Sequence, residues 1–191
     1  MNARFLTPRL AVAADVRKSA PLKVAGIYAD LPAHALAMRV LGDVSRQFSA
    51  VCEINAVWWS FDKLKSADAH EAAARAASEA DMIWCSTHAC EALPHAVRAW
   101  LDESSEHRHE SDAALVALLR CPHGYKIEQS PARIYLSKTA QAAGMELFVQ
   151  RFDCACRGLL NPPPSVLLHI RSLIDEYHPD WHQVRHWGIN E

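Results

Sequence analysis

The sequence predicts an α/β domain: a doubly wound, five-stranded parallel sheet with helices on both faces. Three observations predict it. Short apolar runs alternate with helix-length stretches five times along the chain. The first run, KVAGIY, is apolar and continuous rather than alternating, as a strand buried on both faces must be. Most of the stretches between them open on a helix-start signal and are long enough for right-handed crossovers.

Lys23–Tyr28 (KVAGIY) is short, apolar and partly β-branched, and reads as the first strand. Asp30-Leu31-Pro32 then opens a helix, since proline is tolerated in a first turn. Leu36, Val40, Val44 and Phe48 recur every fourth residue and form its buried stripe. Val51–Trp59 is the second strand, and Ser66 is placed to cap an alanine-rich helix running through Glu79. Asp81–Thr87 is the third strand. Pro94 introduces a helix with Val97, Trp100 and Leu101 on one face.

Ala113–Arg120 (AALVALLR) satisfies either a strand or a helix when taken alone. Its context decides for strand, because Ser130-Pro131 supplies an N-cap and N1 pair for the next helix, and Gly144 a stop. Met145–Arg151 is the fifth strand. Pro162-Pro163-Pro164 bars helix before it and launches one at Ser165, whose apolar face is Val166, Ile170, Leu173, Ile174 and Tyr177. The expected organisation is an N-terminal arm over 1–21, an α/β domain over 22–158, and a C-terminal helical extension with a tail over 159–191. Trp181 and Trp187 in that tail are costly to leave in water. The tail is expected to pack on its own domain, a protein partner or a second copy of the chain.

Composition agrees and excludes several function classes. A chain of 191 residues, half of them apolar and 22% charged, fits one globular domain. A net charge of −2 supplies no electrostatic drive toward nucleic acid or an anionic membrane. No apolar run reaches the roughly 18–20 residues that span a bilayer. Residues 1–21 hold only the short apolar stretch Leu10–Ala14 and do not read as an export signal. Cys52 and Cys85 lie in apolar runs, so the six cysteines read as reduced thiols of a cytoplasmic protein.

Open α/β sheets bind ligands outside the carboxyl ends of their strands, at the switch point in strand order. Those ends carry Tyr28-Ala29-Asp30, Thr87-His88-Ala89-Cys90-Glu91 and Cys121-Pro122-His123-Gly124. The candidate ligand-binding residues are therefore Asp30, Thr87, His88, Cys90, Glu91 and His123. The competing reading is that strand-end loops are polar simply because they face solvent.

The segment Ala80–Asp102, ADMIWCSTHACEALPHAVRAWLD, resembles the flavodoxin-like NADPH-dependent FMN reductases. Those proteins run strand, Thr-Pro-x-Tyr-type loop, proline, then a helix ending in an aromatic residue and Asp. Asp81, Thr87, Pro94 and Asp102 stand at matching positions. The resemblance covers 23 residues at the level of motif and residues 23–151 in architecture. It implies a flavodoxin-like three-layer fold with strand order 2-1-3-4-5, and FMN as cofactor. The chain departs from the family's pattern where the flavin phosphate would sit. In place of a loop rich in Gly, Ser, Arg and Thr it has Ala29-Asp30-Leu31-Pro32, in which proline lacks an N–H and Asp30 repels phosphate. Ala89-Cys90-Glu91 replaces the aromatic residue that stacks on the flavin.

Other constellations are thinner. His88-x-Cys90 and Cys121-x-His123 total two thiolates and two imidazoles, but single-residue spacings are unusual for zinc, and no metal is expected. A phospho-acceptor receiver needs an Asp ending the third strand and a Lys ending the fifth. Thr87-His88 and Arg151-Phe152-Asp153 stand there instead, so only a catalytically silent receiver-like module survives. Cys90 with His88 or His123 as base has no local signature behind it. Cys154-Ala155-Cys156 lacks the CxxC spacing, and Pro179 and Gly188 interrupt the row His178, His182 and His186. His107-Arg108-His109 reads as solvated loop. No phosphate-binding glycine motif or serine-hydrolase elbow occurs. The sequence points to a flavodoxin-like, non-catalytic or regulatory binding and interaction module. The alternative is an FMN-dependent NAD(P)H oxidoreductase.

Overall fold

The computed structural model describes residues 21–49, 52–106, 113–153 and 164–177. Its strands are β1 (Leu22–Tyr28), β2 (Ile54–Ser60), β3 (Met82–His88), β4 (Ala114–Cys121) and β5 (Glu146–Asp153). Its helices are α1 (Leu31–Phe48), α2 (Ala67–Ser78), α3 (His95–Glu106), α4 (Pro131–Ala142) and α5 (Pro164–Tyr177). Every strand pairing is parallel and the order is β2-β1-β3-β4-β5, the flavodoxin-like arrangement.

Strand parity divides the core into two layers. Ile27, Ile83, Cys85, Leu115 and Leu119 meet α2, α3 and α4 on one face, with Trp100 fully buried among them. Val24, Met82, Trp84, Val116 and Leu118 meet α1 and α5 on the other. β3 and β4 are buried on both faces, which explains their unbroken apolar runs.

The helix starts follow the residues that predict them. Asp30 caps α1 in extended conformation, its carboxylate accepting from the Ala33 N–H at 2.7 Å. Ser130 caps α4, its Oγ accepting from the Arg133 N–H at 3.1 Å. Gly144, at φ +66°, follows α4 in the left-handed conformation that favours glycine. Ser130 is fully buried, and Ser130→Ala leaves the Arg133 N–H without its capping oxygen. A loss of about 1–2 kcal/mol is expected, read as a shift in urea midpoint at constant m-value.

Several details differ from expectation. β2 begins at Ile54 rather than at residue 51, because Ile54 is the partner of Leu22 where β1 itself starts. Cys52 is buried just ahead of the strand instead of within it. Ser66 sits at the N-cap of α2 but makes no side-chain capping bond. Phe48 is only half-buried, while Ala33, Ala37 and Leu41 join Leu36, Val40 and Val44 in the stripe of α1.

No helix among the described residues is long and apolar enough to cross a membrane. The N-terminal arm through residue 20, the His107–His109 loop, Cys154, Cys156, the three tail histidines, Trp181 and Trp187 lie outside the described residues.

Candidate functional site

Parity and register bring three side chains of the strand ends together. In β3, His88 lies on the same face as Met82 and Trp84; in β4, Arg120 shares a face with Val116 and Leu118. That is the face covered by α1. His88 and Arg120 are direct partners in the β3–β4 register, so their side chains stand side by side. β1 ends at Tyr28, and two residues later Asp30 opens α1 above the same edge.

The carboxylate of Asp30 is the hub. Its Oδ2 lies 2.8 Å from His88 Nε2, its Oδ1 accepts from the Ala33 N–H at 2.7 Å, and Arg120 Nη1 stands 3.7 Å from Oδ1. An ionised carboxylate only accepts, so Nε2 of His88 carries the proton in this pair. Burial alone would raise the Asp30 pKa. The His88 hydrogen bond, the Ala33 N–H and the electrostatic pull of His88 and Arg120 together outweigh it and hold the carboxyl below its usual value of 3.8. Asp30 is thus ionised at neutral pH.

The surrounding loops are tied to the same edge. The Ala89 N–H donates to the Arg120 carbonyl at 2.9 Å, and Tyr125 Oη donates to the Ala89 carbonyl at 3.3 Å. Ser86 Oγ reaches across to the Ala33 carbonyl at 2.8 Å, fastening β3 to the first turn of α1. Arg151 of β5 donates to the Tyr125 carbonyl at 2.9 Å and pairs with Asp153 at 2.8 Å.

Of the sequence-predicted residues, the structure joins Asp30 and His88 and leaves the others apart from that pair. Thr87 is buried on the opposite parity to His88. Cys90, Glu91 and His123 are exposed. Cys121 is buried and its thiol points back to the Leu119 carbonyl at 3.6 Å. Among the described residues no group of three or more His, Cys, Asp or Glu side chains is placed to hold a metal ion. Cys85 is fully buried, and burial pushes its thiol up to about 12, so it is an inert core residue.

Arg120 is the member that sequence reading passed over, because a charge closing the run AALVALLR looks like a strand boundary. The signal was there: an arginine at the carboxyl end of a strand buried on both faces stands at the crevice edge.

Two grooves of about 190 and 330 Å³ lie elsewhere, between α2, α3 and the turn at Lys63–Lys65. Their walls hold charged pairs already satisfied internally, His70 with Glu103 at 2.9 Å and Arg75 with Glu71 at 2.8 Å. They contain none of the strand-end residues.

The end of α1 also tests whether a flavin phosphate fits. A phosphate at a helix N-terminus needs free N–H groups and no competing anion. Here Pro32 has no N–H, that of Ala33 is bound to Asp30 Oδ1, and that of His34 is bound to the Asp30 carbonyl at 2.9 Å. The Asp30 carboxylate already stands where the phosphate charge would be stabilised. These residues do not fit the group.

No protein-family model and no curated protein matches this sequence. Solved structures do. An oxidoreductase from Corynebacterium diphtheriae aligns with a TM-score of 0.50 at 11% identity, over 83% of this chain and 96% of its own. A flavodoxin from Streptococcus pneumoniae TIGR4 aligns at 0.49 and 13% identity, over 84% of this chain and 99% of its own. A Trp repressor binding protein from Bacillus subtilis aligns at 0.46 and 11% identity, over 88% of this chain and all of its own. At such identities the likeness is one of fold, which does not by itself carry chemistry.

Proposed function

We propose that this chain is a flavodoxin-fold binding module that acts by recognition rather than by flavin chemistry. One observation carries the reading. The helix end that would stabilise a flavin phosphate is capped by Asp30, and that carboxylate is neutralised from within by His88 and Arg120. The chain's own aspartate thus fills the electrostatic role of the ligand's anion. An interaction with a protein partner through Trp181 and Trp187 belongs to the same reading and rests on the sequence.

Titration with FMN tests it, followed by quenching of flavin fluorescence. The expected result is no saturable quenching and no rise in melting temperature. Stoichiometric quenching with a matching rise in melting temperature would overturn the proposal in favour of an FMN-dependent NAD(P)H oxidoreductase. That reading has the fold in its favour, but needs a flavin held in this crevice.

A further inference from the structure

We propose that Arg120, flanked by Asp30 and His88, is the binding site for the carboxylate group of a small monoanionic organic ligand. The inference rests on the crevice being free of flavin phosphate, and names what it takes instead.

Arg120 carries the argument. Its side chain is only 21% exposed, yet among the described residues its guanidinium makes no hydrogen bond. Among the described residues it forms an ion pair with Asp30 Oδ1 at 3.7 Å, beyond hydrogen-bond reach. Asp30 is held back from closing that gap, since Oδ1 is bound to the Ala33 N–H and Oδ2 to His88. The aspartate therefore compensates the charge of Arg120 without satisfying its five N–H donors. None of its nitrogens is among the buried unpaired polar atoms of the described residues, so the open fork is met by solvent that a ligand can displace. A planar carboxylate meets that fork with two parallel hydrogen bonds.

Charge selects the class of anion. Asp30 at −1 and Arg120 at +1 sum to zero when His88 is neutral. A phosphate would add close to two negative charges beside the Asp30 carboxylate. A monocarboxylate adds one. With the Ala33 and His34 N–H groups already bound and none on Pro32, the end of α1 offers a dianion little to offset the difference.

The test uses the full-length chain, titrated with sodium acetate, sodium glycolate, inorganic phosphate and FMN at constant ionic strength set by chloride. The readouts are the Arg120 side-chain N–H resonance and the melting temperature. Saturable shifts are expected with acetate and glycolate, with phosphate weaker. Arg120→Lys keeps the charge but not the fork, and should weaken binding at least about tenfold while the fold persists. Asp30→Asn keeps the helix cap and removes the competing anion, so acetate should bind more tightly.

Absence of a saturable acetate or glycolate shift overturns the proposal, as does equal affinity in Arg120→Lys. Phosphate binding more tightly than either carboxylate overturns the ligand class. Saturable FMN binding sinks the underlying reading of the crevice. Failure with every probe sinks this inference alone.

Discussion

Trp84→Ala is expected to destabilise the fold by about 3–5 kcal/mol, the range for deleting a large aromatic side chain from a packed core. Trp84 lies at the centre of β3, the middle strand, and is fully buried. It packs in the layer under α1 and α5 and meets the Trp58 ring edge-on, with centroids 6.1 Å apart at 88°. Surrounding strands on both sides prevent collapse into the space, so most of the cavity would remain. A domain of this size is stable by roughly 5–15 kcal/mol, which leaves the variant marginal. Its indole Nε1 has no hydrogen-bond partner, so the contribution is packing and not a polar contact. Trp84→Phe should accordingly retain well over half of the lost stability, since it keeps a ring and removes an unpaired donor. Urea denaturation of both variants decides the matter. Equal losses for Ala and Phe would refute the packing account.

Gly26→Ala is the second large effect, with an expected loss of about 1–3 kcal/mol from overpacking. A methyl group at Gly26 would lie 2.1, 2.2 and 2.6 Å from Cε3, Cζ3 and Cδ2 of Trp58. Gly26 pairs with Trp58 across β1 and β2, and the indole lies over the space where its side chain would be. The ring is not free to swing aside. Trp84 abuts one edge, and His34 stands 5.8 Å away at 72°. This glycine is required for close approach rather than for its backbone angles. The prediction has a sharp companion. In a Trp58→Ala background, Gly26→Ala should become neutral or mildly stabilising, because the clash is gone and alanine restricts the unfolded chain. A loss that persists in that background would place its cause in the backbone.

The five strands and five helices were legible because each level of the sequence agreed with the next. β3 read as a strand from its short apolar run, whereas AALVALLR in β4 was told from a helix only by its context, the Ser130-Pro131 helix start that follows. Asp30-Leu31-Pro32 and Ser130-Pro131 marked helix starts through local chemistry, and the Asp30 carboxylate and Ser130 hydroxyl each accept the N–H which that chemistry requires. The start of β2 was less legible. Its first rung is set by where β1 begins, and Leu22 is thirty-two residues away from Ile54.

The crevice was legible in part. Asp30 and His88 stood out as polar residues at strand ends, and they do meet at 2.8 Å. Cys90, Glu91 and His123 had the same qualification, and they lie exposed without joining that pair. Nothing local separates the two groups, because loop direction decides which side chains converge. Arg120 escaped notice for the complementary reason: its role comes from a neighbour on another strand.

By itself the sequence determined the α/β alternation, the caps of α1 and α4 and the absence of a glycine-rich phosphate loop, since each depends on residues close together along the chain. The tertiary structure alone decided that His88 and Arg120 are register partners, that Asp30 lies between them and α1, and that Trp58 covers Gly26. Those facts depend on strand pairing over long separations, where one step of register moves every side chain to the opposite face.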